Sequence, residues 1–251
     1  MTDLITLVNK EVSRFIRIWK QTLLPPVITI VLYLLIFGKF IGEKIQIIEG
    51  VSYIDFIFPG LLMMSVITSS YGNTSSSFFG SKFQKSIDEL FVSPISHWKI
   101  LLGFCIGGIL RGALVGSLVF VTGFFMVDIH IYSFFYTFLF IILTSMLFSL
   151  AGILNAIYAK SFDDINIIPS FFITPMIYLG GVFYSISLLS DNWQIISKFN
   201  PILYMVNGLR YGFIGISDVN IYVSISIISV FIIIFSFFSL HLLKKGYGIK
   251  N

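Results

Sequence analysis

Arg111 lies deep inside a long apolar stretch, about 12 residues past Lys99 and so ~18 Å along a helix. A charge at that depth costs at least ~2.5–3.5 kcal/mol on insertion scales, so it should face a cavity, a partner helix or carbonyl groups rather than lipid. Its chemistry has two readings. It could attract an anionic headgroup or substrate, or it could hold two helices or subunits together. No apolar stretch offers an obvious acidic partner at matching depth. A second polar feature runs through Ser65, Thr68, Ser69, Ser70, Asn73, Thr74, Ser75, Ser76 and Ser77. So many hydroxyls and amides must face protein or water, as a translocation path or a subunit interface would require. A third stretch combines Pro169, Pro175 and Gly180-Gly181 with Tyr178, Phe183 and Tyr184. Proline removes an intrahelical hydrogen bond, so this helix should kink, and its aromatics suit a gate for an amphipathic solute. Ser69, Asn73, Arg111, Tyr178, Phe183 and Tyr184 are the candidate path residues.

Other chemistries are excluded or weakened. No GxxxxGK[ST] phosphate loop occurs, so the chain does not bind and hydrolyse ATP by that route. His97, His130 and His241 are too scattered for a metal site, and no catalytic set can be assembled. Asp55, Asp128, Asp163 and Asp164 sit at the ends of apolar stretches, which weakens a proton or sodium relay. The net charge of +4 comes without basic runs interleaved with aromatics, so nucleic acid is not an expected partner. Cys105 has no second cysteine to pair with.

These residues must be positioned by membrane helices. Six apolar stretches, about 23–41, 56–80, 100–127, 133–159, 165–189 and 221–243, are each long enough to cross ~30 Å of hydrocarbon. Backbone groups in lipid must be satisfied within the segment, so the stretches predict helices. The chain is 57% hydrophobic and 11% charged, with 28 phenylalanines, too apolar for a soluble core of this length. Gly103/Gly107 and Gly108/Gly112/Gly116 recur at a spacing that lets another helix approach closely.

With the N-terminus inside, the inner segments carry Lys10, Arg14, Arg17, Lys20, Lys82, Lys85, Lys99, Lys160, Lys244, Lys245 and Lys250. The outer segments carry only Lys39, Lys44, Lys198 and Arg210. The expectation is an all-α, polytopic, multi-pass membrane protein of six helices with both termini in the cytoplasm. Residues 1–21 lack the pattern of a cleaved signal peptide and instead place Leu4, Val8, Val12, Phe15 and Trp19 on one helical face. This predicts a helix lying on the membrane surface, anchored by Arg14, Phe15, Arg17 and Trp19, that turns inward at Pro25-Pro26. The competing reading packs it against a neighbouring protein.

Two segments exceed what a connection needs. Residues 81–99 predict a short charged helix with Lys85 and Glu89 one turn apart, stopped near Ser93 by Pro94, with Ser96 capping the next helix. Such an element can pass force to the membrane helices, or it can be a solvated connector. Residues 190–220 carry too many aromatics for a loop in water, so one or two short helices broken at Asn200-Pro201 are expected.

The run PGLLMMSVITSSYGNTSSSFFGSKFQKSIDELFVSPIS, the block FDDI/IPSFF/PMIYLGGVFY and the segment NPILYMVNGLRYGFIGISD together resemble the membrane permease subunit of type-2 ABC exporters. Within that family the chain is similar to the YadH-like bacterial inner-membrane permeases, related to the nodulation-factor and polysaccharide exporter permeases. The resemblance covers nearly the whole chain. It implies a single transmembrane domain over 1–251 that forms a homodimer and binds two copies of a separately encoded ATP-binding subunit. ATP and Mg would sit on that partner and none on this chain, which is not itself an enzyme. It further implies that residues 81–99 are a coupling helix, with Lys85, Asp88, Glu89, Leu90, Pro94 and Ile95 in contact with the partner, and that Asp163 and Asp164 form a second contact. Residues 190–220 would be external re-entrant helices, the cargo would be amphipathic, and membrane lipids would surround the assembly in a bacterial plasma (inner) membrane.

Overall fold

The computed structural model describes residues 2–42 and 47–248. Lys44 and Lys250, counted above toward the charge asymmetry, lie outside them. The regular structure among the described residues is helical apart from a two-stranded antiparallel hairpin, β1 (Ile47–Ile48) and β2 (Val51–Ser52), with Ile47 opposite Ser52. Its longest helix, α4 (Tyr53–Phe83), begins where the Ser52 hydroxyl accepts the N–H of Asp55. Before it come α1 (Thr2–Arg17), α2 (Trp19–Thr22) and α3 (Leu24–Tyr33), the last continued by a π-helical stretch, Leu34–Ile41. After it come α5 (Ser86–Val92), α6 (His97–Phe124), α7 (Phe134–Tyr158) and α8 (Phe162–Ile168). The remaining helices are α9 (Thr174–Tyr178), α10 (Asp191–Lys198), α11 (Pro201–Ile214) and α12 (Ile221–Lys245).

Among the described residues, five helices are long and apolar enough to cross a membrane: Trp19–Gly38, Tyr53–Phe83, His97–Gly123, Phe134–Tyr158 and Ile221–Lys245. The stretch 165–189 is not a sixth of that kind. Its helical run begins at Phe162 in α8, loosens into a π-helical stretch at Pro169–Ile173 and ends with α9 at Tyr178. Pro169 and Pro175 supply no N–H to the ladder, and Gly181 at φ 75° turns the chain away. The remainder of the stretch becomes a turn and a short 3₁₀ segment, Ile186–Leu188.

The core is the junction of α4, α6 and α7. Most of α4 is buried, because α6, α7 and α11 surround it and α1 reaches it through Glu11 and Arg14. Ser70 and Thr74 of α4 meet Gly112 and Gly108 of α6 and Ser145 and Ser149 of α7. A Cβ at Gly108 or Gly112 would overlap these hydroxyls. Much of the polar run therefore packs helix on helix, the close approach that small residues permit.

The ends of the helices sort onto two faces. On one, Lys82 Nζ donates to the carbonyls of Ile157 and Ala159, both at 2.8 Å, and Asp3 pairs with Lys99 at 3.3 Å. Gly248 lies against Ile157 there, so the first and last described residues share this face. On the opposite face, Tyr132 and Ser133 donate to the carbonyls of Phe213 and Gly212, and Glu49, Ser185 and Asp218 converge.

Candidate functional site

The first site hangs from the ends of α4 and α6. Lys85 adopts the left-handed conformation at φ 58° and reverses the chain, so it precedes α5 instead of standing one turn before Glu89 on it. α5 stops at Ser93, as Pro94 requires. Ser96 occupies the N-cap of α6 by backbone geometry, but its side chain makes no capping bond. Ile87 is buried and Leu90 and Ile95 are half-buried against the core, while Lys85, Asp88, Glu89 and Pro94 face outward and Val92 is 88% exposed. The element is thus fixed along one side and presents a mixed acidic and apolar surface on the other.

The turn before α8 reaches the same place. Ser161 and Asp164 form a capping box, in which the Asp164 carboxylate accepts the N–H groups of Lys160 (2.8 Å) and Ser161 (3.0 Å). The Lys160 N–H, then the groups of Ser161, hold the Asp164 carboxyl below the usual carboxylate range. Asp163 is exposed beside it. Phe162 packs edge-on against Phe79 at 4.9 Å and Phe83 at 5.2 Å, so this turn docks on the last turns of α4.

The N-terminal helix departs from the surface-anchor expectation. Leu7 sits on Gly103 and Glu11 on Gly107, while Asp3 pairs with Lys99, so α1 runs alongside α6 one turn per contact. Glu11 is fully buried, accepting from Ser77 at 2.7 Å and pairing with Arg14 at 3.7 Å, and Arg14 donates to Asn73 through the backbone carbonyl and Oδ1. Burial raises the Glu11 carboxyl, against the opposing pull of Ser77 and Arg14. Arg14 and Phe15 therefore turn toward the bundle, because their side of α1 fills the groove between α4 and α6. Arg17 and Trp19 remain on the outside. Arg111 donates to the carbonyl of Thr22 at 3.2 Å, where the chain turns between α2 and α3. Here it joins two parts of one chain.

The two path candidates on α4 do not face open space. Ser69 and Asn73 are buried inside the protomer, Asn73 against Arg14. The open stripe of this otherwise buried helix is Thr68, Gly72 and Ser76. It faces Asn166, Pro169 and Thr174 of the interrupted helix across a cavity of about 350 Å³. Above it Tyr178 and Phe183 stack at 5.8 Å and join Tyr33 and Phe37 from the first crossing, with the Tyr33 and Tyr178 hydroxyls 3.0 Å apart. Tyr184 is half-buried in the turn that follows.

The end opposite α5 holds a site that composition missed. Arg210, counted above as an external loop cation, is fully buried in α11. Its guanidinium lies 3.9 Å from the Phe56 ring, donates to Gly181 O at 2.5 Å and pairs with Asp218 at 3.6 Å. Asp218 also bonds the Ser185 hydroxyl, which contacts Glu49 at 2.6 Å, and Asn207 accepts the Asp218 N–H at 2.9 Å. Desolvation pushes the Asp218 carboxyl upward. The helix break expected at Asn200-Pro201 is present, and Asn200 both caps α11 and donates to Met176 O at 2.6 Å. A signal was available: an arginine inside an apolar 14-residue helix, with an aspartate just beyond that helix's end.

Five membrane-length helices among the described residues, with a charged helix hung between two of them, define a polytopic membrane protein. Residues 2–214 match the ABC-2 type transporter model, and the chain belongs to that membrane protein family. It is 50% identical over 242 residues to the inner membrane transport permease YadH of Escherichia coli K12, covering 96% of this chain and 94% of that one. It is also 23% identical over 216 residues to nodulation protein J of Rhizobium leguminosarum bv. viciae, covering 86% and 83%. Nodulation protein J of Rhizobium meliloti is 24% identical over 216 residues.

Proposed function

We propose that the protein is the permease subunit of an ATP-driven exporter in the bacterial inner membrane. It works as a homodimer, with two copies of a separate ATP-binding subunit on the face that carries α5. The observation carrying this reading is α5 itself: a helix braced along one side by Ile87, with Asp88, Glu89 and Val92 turned outward. Burial of Val92 and the surrounding apolar groups by a partner would relieve an otherwise exposed patch. Closure of the ATP-binding subunits would draw the two copies of α5 together. Because α4 and the turn at residues 160–164 meet through Phe83 and Phe162, the movement would reach both walls of the 350 Å³ cavity.

Placing this face in the cytoplasm rests on the concentration of lysines and arginines there. That both described ends share it supports an even number of crossings, with the interrupted helix Phe162–Tyr178 and its following turn making the sixth. The cavity between α4 and the interrupted helix would belong to the cargo route, and Tyr33, Phe37, Tyr178 and Phe183 would form its gate for an amphipathic solute.

The test is purification of the tagged chain with candidate ATP-binding subunits, followed by transport in liposomes. A stable complex and ATP-dependent export are expected. Solute movement by the isolated chain on a gradient alone would replace this reading with that of an ion-coupled carrier or channel.

A further inference from the structure

We infer that each protomer binds an anionic phospholipid between α7, the interrupted helix and α12, with its phosphate on Lys160 and Lys245 and its hydrocarbon in the adjoining fissure. Two cavities make the site. The first, of about 720 Å³, opens at the helix ends and is lined by Lys82, Lys160, Lys245, Tyr158 and Tyr247. No carboxylate among the described residues lines it. Asp164, four residues beyond Lys160, is engaged with the main-chain N–H groups of Lys160 and Ser161, and the Lys160 charge is the last of the influences on its carboxyl. Lys82 is committed to the carbonyls of Ile157 and Ala159, so it cancels the negative end of α7 and leaves the basin positive. Lys160 and Lys245 are exposed and form no ion pair among the described residues. The Tyr158 and Tyr247 rings, 5.4 Å apart, wall the basin with aromatic surface of the kind found at headgroup depth.

The second cavity, of about 450 Å³, is lined almost wholly by apolar side chains, among them Leu154, Phe172, Met176, Phe231 and Phe235. Tyr158 borders both cavities, so the charged basin and the apolar fissure lie side by side along α7. That adjacency selects the occupant. A soluble anion or an acidic protein segment would fill only the basin, whereas a phospholipid satisfies both. Basic pockets at the cytoplasmic ends of membrane helices recognise anionic headgroups by this chemistry. The inference goes beyond the exporter reading, because it concerns one protomer's lipid contacts and is read without any transport measurement.

Native mass spectrometry of the purified protein in detergent, titrated with phosphatidylglycerol or phosphatidylethanolamine, tests it. The wild type should retain phosphatidylglycerol preferentially. K160Q/K245Q, altered only at exposed positions, should lose that preference by about 30-fold, from ~1 kcal/mol per lysine. Ala151→Trp, which fills the fissure, should weaken both lipids alike while K160Q/K245Q spares phosphatidylethanolamine. Equal retention of the two lipids by the wild type, or unchanged phosphatidylglycerol binding in K160Q/K245Q, would overturn the site. So would displacement of phosphatidylglycerol by millimolar inorganic phosphate, which would assign the basin to free anions.

Discussion

The two ends of this molecule handle charge in opposite ways. At the end carrying α5, Lys85, Asp88, Glu89 and Asp163 point outward, and Asp164 is satisfied by the backbone of its own turn. At the other end, Arg210 and Asp218 are taken out of solvent and surrounded by Phe56, Gly181, Ser185 and Asn207. Exposed charge contributes little to stability but stays available to a partner, whereas a buried pair is costly to break. One end is therefore a handle and the other a seal.

The contrast can be broken most forcefully at Arg210. Arg210→Met should lower stability by about 3–5 kcal/mol, because it strands the buried Asp218 carboxylate. Thermal unfolding in detergent would show this, and adding Asp218→Asn should recover most of the loss. An unchanged midpoint for Arg210→Met would mean that nothing is sealed there. Gly112→Val, between the two ends, should cost about 1–3 kcal/mol by overpacking against Ser70 and Ser145, read in the same assay.

Acidity should separate the ends by sign. The Asp164 carboxyl is held below its usual range, so its contribution is present at neutral pH and lost as pH falls through that lowered value. The Asp218 carboxyl is raised by burial, so the stability its proton confers is present in acid and lost as pH rises through that raised value. Hydrogen exchange followed from neutral pH down through the carboxylate range should show the turn at 160–164 loosening while residues 185–187 tighten. Loosening at both would remove the distinction. The smallest effect on stability belongs to Glu89→Ala and Pro94→Ala, within about 0.5 kcal/mol because both sites are exposed. Yet ATP hydrolysis should come apart from transport in the reconstituted complex, and unchanged coupling would deny α5 its role as handle.

How legible these features were in the sequence follows from what each depends on. Long apolar runs and prolines act locally, so the membrane helices, the stop of α5 at Ser93 and the break at Asn200-Pro201 could be read directly. Facing could not. Ser69 and Thr68 are equally polar, and only the packing of α6 and α7 on α4 decides that Thr68, Gly72 and Ser76 stay open. The N-terminal helix shows the same limit. Its apolar stripe suits a lipid surface as well as a protein groove, and the choice rests on Glu11 meeting Ser77, 66 positions away. The length of the interrupted helix was overread because apolar composition continues past Tyr178 although the backbone does not.

α4 is unbroken from Ser52, next to the hairpin, to Phe83, next to α5, a span of roughly 46 Å at helical rise. It is stiff over nearly all of that length. Its single proline, Pro59, stands one turn from Phe56, whose ring covers Arg210. A twist applied at the tip next to α5 would thus travel along a rod and find its weakest joint beside the buried Arg210. Motion that begins at one end of the molecule has a built-in place to be spent at the other.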